Sequence, residues 1–222
     1  MSLIVSVHVP KTAGTALRSA LCDAWPQDRV FFDYADRPLD PGSAMHIDPD
    51  GFHARWQQTL PDVLAGHDVV HGHFNPAKYS PITDARWITF LREPVRRVIS
   101  HYFFWRSWPR SGNRLQEYML DNSLSLYEFA RLPFMRRCYT GVFFAGVDVD
   151  GFDFVGTQER LEADLARLER LLGRGLPIPA RTNETSASEY APAVTDILND
   201  TKQVRALEDL LSDDVRFYAR YA

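Results

Sequence analysis

The chain has 222 residues, 45% of them apolar and 13% aromatic, with a formal net charge of −4; these totals suit one globular domain with a substantial core and exclude a disordered chain. No apolar run approaches the roughly 20 residues of a membrane-spanning helix, and no basic segment precedes a signal-like apolar stretch at the start, so a soluble cytoplasmic protein with no membrane span is expected. The negative total argues against a generally basic nucleic-acid binder, and Cys22 and Cys138 are too few for a disulfide framework or a cysteine metal site.

In chain order, Leu3 to Val9 is rich in β-branched residues and reads as a buried strand. Thr15 to Trp25 follows with helical spacing through Leu17, Ala20, Leu21 and Ala24. Val30 to Phe32 reads as a short strand, after which a Pro, Asp and Gly-rich connection without regular pattern runs to about Gly51. Phe52 to Ala65 reads as a helix, and Asp68 to Phe74 and Arg86 to Leu91 as strands. Pro94 suits a first helical turn, with Val95, Val98, Ile99, Tyr102 and Phe103 recurring behind it. Arg114 to Leu132 is mostly helical with an interruption near Asn122, and residues 107–150 are expected to form a helical acceptor-binding lobe.

Phe152 to Val155 is a further strand, and Thr157 is expected to cap a helix through Leu161, Leu165, Leu168, Leu171 and Leu172 that ends at Gly173 and Gly175. Arg181 to Tyr190 reads as polar loop, with terminal helices over Val204 to Leu211 and Val215 to Tyr221. Strands alternating with helices, without a repeat or an interdomain linker, indicate a single α/β domain over residues 1–222.

Three stretches carry chemistry. In "PKTAGT", Pro10 to Thr15, a strand-to-helix turn holds one of only three Lys in a chain with 22 Arg. Backbone amides at a helix start surround an anion, Gly14 permits close approach, Lys11 supplies charge, and Thr12 and Thr15 supply hydroxyls. The same pattern fits a capped helix start with an exposed Lys. The G-x-x-x-x-G-K-[ST] order of nucleoside-triphosphate loops is absent. In "FLREPVRRVISHYFFWR", Phe90 to Arg106, Arg92 closes a strand and Ser100 lies about two turns into the next helix, so both reach one phosphate only if it lies along that helix; a solvated basic helix is the alternative. Arg86 to Arg114 holds seven Arg and one acid, Glu93.

The third stretch is "VVHGHF", Val69 to Phe74. In a strand His71 and His73 project to one side, Gly72 leaves room for another group, and the C-terminal end of such a strand is where open α/β sheets bind ligands. A neutral imidazole there is a candidate general base, although hydrogen-bonded structural histidines are the commoner case. Two histidines without H-E-x-x-H or a cysteine cluster make no metal argument, and His8, His46, His53, His67 and His101 add none by spacing, so no metal is expected.

Together "VPKTAGT", "HGHF", "FLREPVRRVISHYFF" and, more loosely, "FDFVGTQERLEADLARLERLL" resemble, in the same order, the sulfotransferases that use 3′-phosphoadenosine 5′-phosphosulfate (PAPS), most closely the carbohydrate branch of heparan and uronyl 2-O-sulfotransferases. The resemblance implies a P-loop-like three-layer fold with a central, mainly parallel sheet flanked by helices. It implies that Lys11, Thr12, Ala13, Gly14, Thr15 and Ala16 hold the 5′-phosphosulfate, that Arg92 and Ser100 hold the 3′-phosphate, and that Lys11, His71 and His73 serve sulfuryl transfer, with His71 favoured as base and His73 supporting or replacing it. Adenosine 3′,5′-bisphosphate is then the product. Arg181 and Thr182 of "RTNETS" are further cofactor-loop candidates.

The implied acceptor is a hydroxyl, on a saccharide or glycolipid, and Phe103, Phe104, Trp105 and Trp108 with Arg106, Arg110 and Arg114 are expected to line its cleft or to belong to the core. Without the anchor and stem of Golgi relatives, bacterial cytosolic action is expected. A nucleotide-dependent phosphotransferase and a non-catalytic adenosine bisphosphate binder remain the alternatives.

Overall fold

The structure is a computed structural model that describes residues 2–177 and 189–222. Its strands are β1 (Ile4–His8), β2 (Val30–Asp33), β3 (Val69–Gly72), β4 (Arg86–Leu91) and β5 (Phe154–Thr157). They form one sheet in the order β2-β3-β1-β4-β5, and every neighbouring pair is parallel. β1 is central, aligning Val5 with Val70 on one side and with Trp87 on the other. A central parallel strand is covered on both faces, and Ile4, Val5, Ser6 and Val7 are all buried although Ser6 interrupts the apolar run.

The helices are α1 (Gly14–Ala24), α2 (Ala44–Ile47), α3 (Pro49–Gly66), α4 (Pro94–Ser107), α5 (Arg114–Asp121), α6 (Leu126–Arg131), α7 (Pro133–Arg136), α8 (Leu161–Leu172), α9 (Ala191–Asn199), α10 (Thr201–Leu210) and α11 (Ser212–Tyr218). Alternate strand residues face different layers. Ile4, Val69, Ile88 and Phe154 meet Leu17 and Leu21 of α1 and Leu165 and Leu168 of α8. Val5, Val7, Val70 and Leu91 meet Leu60 and Val63 of α3, Val98 and Ile99 of α4, and the later helices. The result is a three-layer α/β fold with a P-loop-like strand, loop and helix at its start. Among the described residues no helix is long and apolar enough to cross a membrane.

Where the structure departs from the sequence reading, local chemistry gives the reason. The connection before Gly51 contains α2 and the first turn of α3: Asp48 accepts from the Gly51 N–H at 3.0 Å and Pro49 sits in the first turn, so residues that favour turns here start a helix. The break near Asn122 is present, with Ser123 at φ 48° and a Ser125/Glu128 capping box restarting the chain as α6. Thr157 caps nothing through its side chain; it closes β5, and its N–H donates at 2.8 Å to the buried Asp164 carboxylate. Gly173 ends α8 at φ 62°. Residues 191–199 form a helix that the sequence pattern did not indicate. Leu115, Met119, Phe129 and Phe143 of the 107–150 segment belong to the same buried cluster as Val5 and Val7, so this segment is packed into the main core.

Candidate active site

β1 delivers its last residue, His8, to the C-terminal end of the sheet, where the chain turns into α1. Lys11 (φ 72°) and Ala13 (φ 66°) both occupy the left-handed region, a strain of roughly 1–3 kcal/mol for each non-glycine residue. Such excursions turn successive backbone N–H groups into an anion-binding concavity. Thr12, buried between them, donates its hydroxyl to the Val9 carbonyl at 2.8 Å and locks the turn. No side chain caps α1, and its first backbone bond is Leu17 N–H to Ala13 O at 3.1 Å, so the first-turn amides remain open to a ligand. Gly14 makes room for a neighbouring side chain within the protein. A Cβ there would lie 1.6 Å from His8 Nε2, so the approaching group is this imidazole.

Lys11 Nζ lies 4.1 Å from the centre of the Phe104 ring on α4. Burial, reinforced by the nearby Arg92 charge, lowers its pKa to about 8. Arg92, just past β4, donates from Nη1 to the Lys11 carbonyl at 3.4 Å, and Tyr139 brackets its backbone by accepting from the Arg92 N–H and donating to the Arg92 carbonyl. Arg92, Arg96 and Ser100 line one wall of a cleft of about 320 Å³; Val194, Thr195 and Leu198 of α9 line the other. The structure thus brings Arg92 and Ser100 to one space along the side of α4.

On the α1 side of the sheet, alternation places Ser6 and His8 of β1 beside His71 and His73. His71 is fully buried, shares a hydrogen bond with Ser6 Oγ through Nδ1 at 2.9 Å, and keeps an enclosed Nε2 without partner among the described residues. His73 stays partly exposed just beyond β3 and places Nε2 3.1 Å from His8 Nδ1. His8 stacks against His71 at 5.3 Å between centroids, and Tyr34 packs edge-on to His73 at 4.7 Å. Burial lowers the His73 pKa to about 4; burial, then His73 and Arg18, lower that of His71 to about 3. Both rings are therefore neutral near pH 7. Burial raises Tyr34 to about 12, so its phenol keeps its proton.

The wall behind His73 is held by charge. Its N–H donates to the Asp33 carbonyl at 2.8 Å, and that same carbonyl would lie 1.8 Å from a Cβ on Gly72, which identifies the group Gly72 admits. Asp33 also accepts from Lys78 Nζ at 2.6 Å and from the Tyr79 hydroxyl at 2.8 Å, while Lys78 reaches Asp36 at 2.7 Å. Lys78 sits 3.8 Å above the Trp56 ring.

Lys11 to Ala16, Arg92, Ser100, His71 and His73 therefore occupy one end of one sheet, with His71 the deepest. Arg181 and Thr182 lie outside the described residues. Of the candidate acceptor residues, Phe103 and Trp105 are core at 7% exposure each, whereas Trp108 is 54% exposed. Arg110 is engaged by Glu117 and Asp121, and Arg106 donates to the Tyr102 hydroxyl. Sequence reasoning gave no role to His8, Ser6 or Tyr34. Strand alternation of "VSVH" combined with the strand order would have found Ser6 and His8, and Tyr34 only through its place just past β2, the strand beside β3.

No family model and no curated protein matches the chain. Among solved structures it is similar to mouse sulfotransferase SULT7A1 complexed with PAP, at 13% identity and a TM-score of 0.42, over 100% of this chain and 89% of that one. It is similar to a sulfotransferase from Alicyclobacillus acidocaldarius at 15% identity and a TM-score of 0.42, over 96% of each chain. It is also similar to retinol dehydratase in a complex with retinol and PAP, at 10% identity and a TM-score of 0.42, over 96% of this chain and 80% of that one.

Proposed function

We propose that the protein is a sulfotransferase that moves the sulfuryl group of PAPS to an acceptor hydroxyl. The observation that carries this reading is the Arg92 guanidinium reaching the Lys11 carbonyl: it joins an open helix-start loop to an Arg/Ser cleft, two anion sites such as a donor phosphorylated at both ends requires.

In this reading the loop amides and Lys11 hold the phosphosulfate, and Arg92 and Ser100 hold the 3′-phosphate. His73 is the base. His71, the ring favoured from sequence, has no exposed surface, whereas a base must come within about 2.6–3.2 Å of the hydroxyl it deprotonates. The acceptor oxygen bonds to sulfur in line as its proton passes to His73. The bond between sulfur and the phosphate oxygen breaks, and its electron pair stays on that oxygen. Lys11 and the amides stabilise the charge gathering there. The products are a sulfate ester and adenosine 3′,5′-bisphosphate.

The acceptor in this proposal is a saccharide or glycolipid hydroxyl, which the exposed Trp108 ring beside Phe104, 5.0 Å between centroids, supports as a stacking surface. The test is thermal stabilisation by adenosine 3′,5′-bisphosphate against ATP with magnesium, followed by transfer of label from PAPS to a panel of sugars, glycolipids, sterols and phenols. A stronger effect of ATP with magnesium would point to phosphotransfer. Tight bisphosphate binding with no labelled product would leave a binding protein.

A further inference from the structure

His8 touches both halves of the site. Its Nδ1 lies 3.1 Å from His73 Nε2, with the Tyr34 hydroxyl at 3.4 Å. Its other nitrogen, Nε2, lies against Gly14 at the start of α1. Among the described residues Nε2 is neither hydrogen-bonded nor enclosed, and the same holds for His73 Nδ1. Both rings are neutral near pH 7, and a neutral imidazole carries one N–H and one lone pair.

One hydrogen therefore lies between His8 Nδ1 and His73 Nε2, and two arrangements are open. If His8 donates, its Nε2 lone pair faces the anion-holding loop, and His73 presents an N–H at its open nitrogen. If His73 donates, His8 presents its N–H to the loop, and the open His73 nitrogen carries the lone pair. Only the second arrangement favours an anion at the loop and also leaves a base.

We propose that His8 is a positioning residue that fixes His73 as the Nε2–H tautomer, so that His73 Nδ1 is the atom that takes the acceptor proton, and that His8 Nε2–H faces the donor anion. The tautomer at the base is thereby tied to the loop that holds the donor. This inference rests on the sulfotransferase reading for its purpose, while the hydrogen-bond pattern is readable without turnover. After transfer the His73 imidazolium keeps its Nε2–H directed at the His8 lone pair, which stabilises the cation.

The experiment is heteronuclear NMR of ¹⁵N-histidine-labelled full-length protein, with and without adenosine 3′,5′-bisphosphate, on wild type, His8→Asn and His8→Leu. The Asn amide oxygen stands near the position of Nδ1 and accepts the same hydrogen; Leu offers nothing. We expect His73 to be protonated at Nε2 and bare at Nδ1 in wild type and His8→Asn, and to become a tautomer mixture in His8→Leu. With PAPS and an acceptor, kcat should fall roughly 10- to 100-fold in His8→Leu and recover largely in His8→Asn. A wild-type His73 protonated at Nδ1, or a pure Nε2–H tautomer in His8→Leu with undiminished kcat, overturns the proposal. A wild type with the expected tautomer but no sulfuryl transfer to any acceptor refutes the sulfotransferase reading and leaves the tautomer assignment standing.

Discussion

The imidazole of His8 fills the volume that a side chain at Gly14 would need, a built Cβ lying 1.6 Å from His8 Nε2. Gly14 has no left-handed φ, so its backbone accepts alanine and only the ring forbids it. Gly14→Ala should therefore push His8 out of place, destabilise the protein and weaken bisphosphate binding. In a His8→Ala background the same change should be harmless, or stabilising by up to about 1 kcal/mol through helix propensity. Urea unfolding of the two single variants and the double variant closes the cycle. Residues in contact are expected to show a coupling of roughly 0.5–3 kcal/mol, and additive effects would contradict the contact.

The charge state of Lys11 sets a second expectation. With its pKa lowered to about 8, first by burial and then by Arg92, free Lys11 is mostly charged at pH 7 and mostly neutral at pH 9. Adenosine 3′,5′-bisphosphate should bind progressively more weakly above pH 8 in wild type. Lys11→Arg, which stays charged, should bind with little change over the same range. Arg92→Ala should weaken binding roughly 10- to 100-fold at every pH, the scale of one or two charge-assisted hydrogen bonds. Calorimetric titration at several pH values measures all three. A flat wild-type profile would remove Lys11 from the phosphate site.

All five strands could be read from the chain, because short apolar runs ending in polar residues are local signals. The "PKTAGT" loop was legible for the same reason: a lone Lys and a Gly between strand and helix. The partners of His73 were not. His8 lies 65 residues away on another strand, and only the order β2-β3-β1 makes them neighbours. The difference in depth between His71 and His73 was hidden too, since alternation predicts a shared side and not that His71 lies within β3 against Ser6, His8 and Phe32 while His73 lies just beyond the strand. Helix α9 escaped because "APAVTDILND" has no capping side chain at its start and leaves no residue fully buried.

Acid stability follows from opposed shifts. The His71 and His73 pKa values are lowered from 6.5 to about 3 and about 4, so the stability they contribute is present above pH 6.5 and lost as the pH falls toward those values. Asp36 is raised from 3.8 to about 6, first by burial and then by Asp33, against Lys78; its contribution is present below pH 3.8 and lost as the pH rises through about 6. Between pH 4 and 6 the terms oppose, each with a limit of about 1.4 kcal/mol per pH unit. Chemical denaturation from pH 7 to pH 5 should show wild type losing stability, His71→Asn losing it less steeply, and Asp36→Asn more steeply. Parallel slopes for wild type and His71→Asn would mean that His71 takes up its proton in the folded protein as readily as in the unfolded chain, against the lowered pKa that burial gives it.

The aromatic run in α4 separates into two functions by helical phase. Phe103 packs on Tyr102 and Tyr190, and Trp105 on His101 and Phe129, both nearly excluded from solvent. Phe104 and Trp108, one turn apart, form a second face on which Phe104 carries Lys11 and Trp108 remains open. Trp105→Ala should cost about 3–5 kcal/mol, the usual loss for a large buried aromatic. Trp108→Ala should stay within about 0.5 kcal/mol of wild type, as a surface change does, and leave bisphosphate affinity intact. If the open ring stacks on the acceptor, its loss should raise the acceptor KM roughly 10-fold, the effect of about 1.4 kcal/mol of lost contact, with kcat largely kept because the ring lies off the reacting atoms. Steady-state kinetics with the acceptor found in the labelled screen decides the matter. An unchanged KM would move the acceptor to a different face of the site.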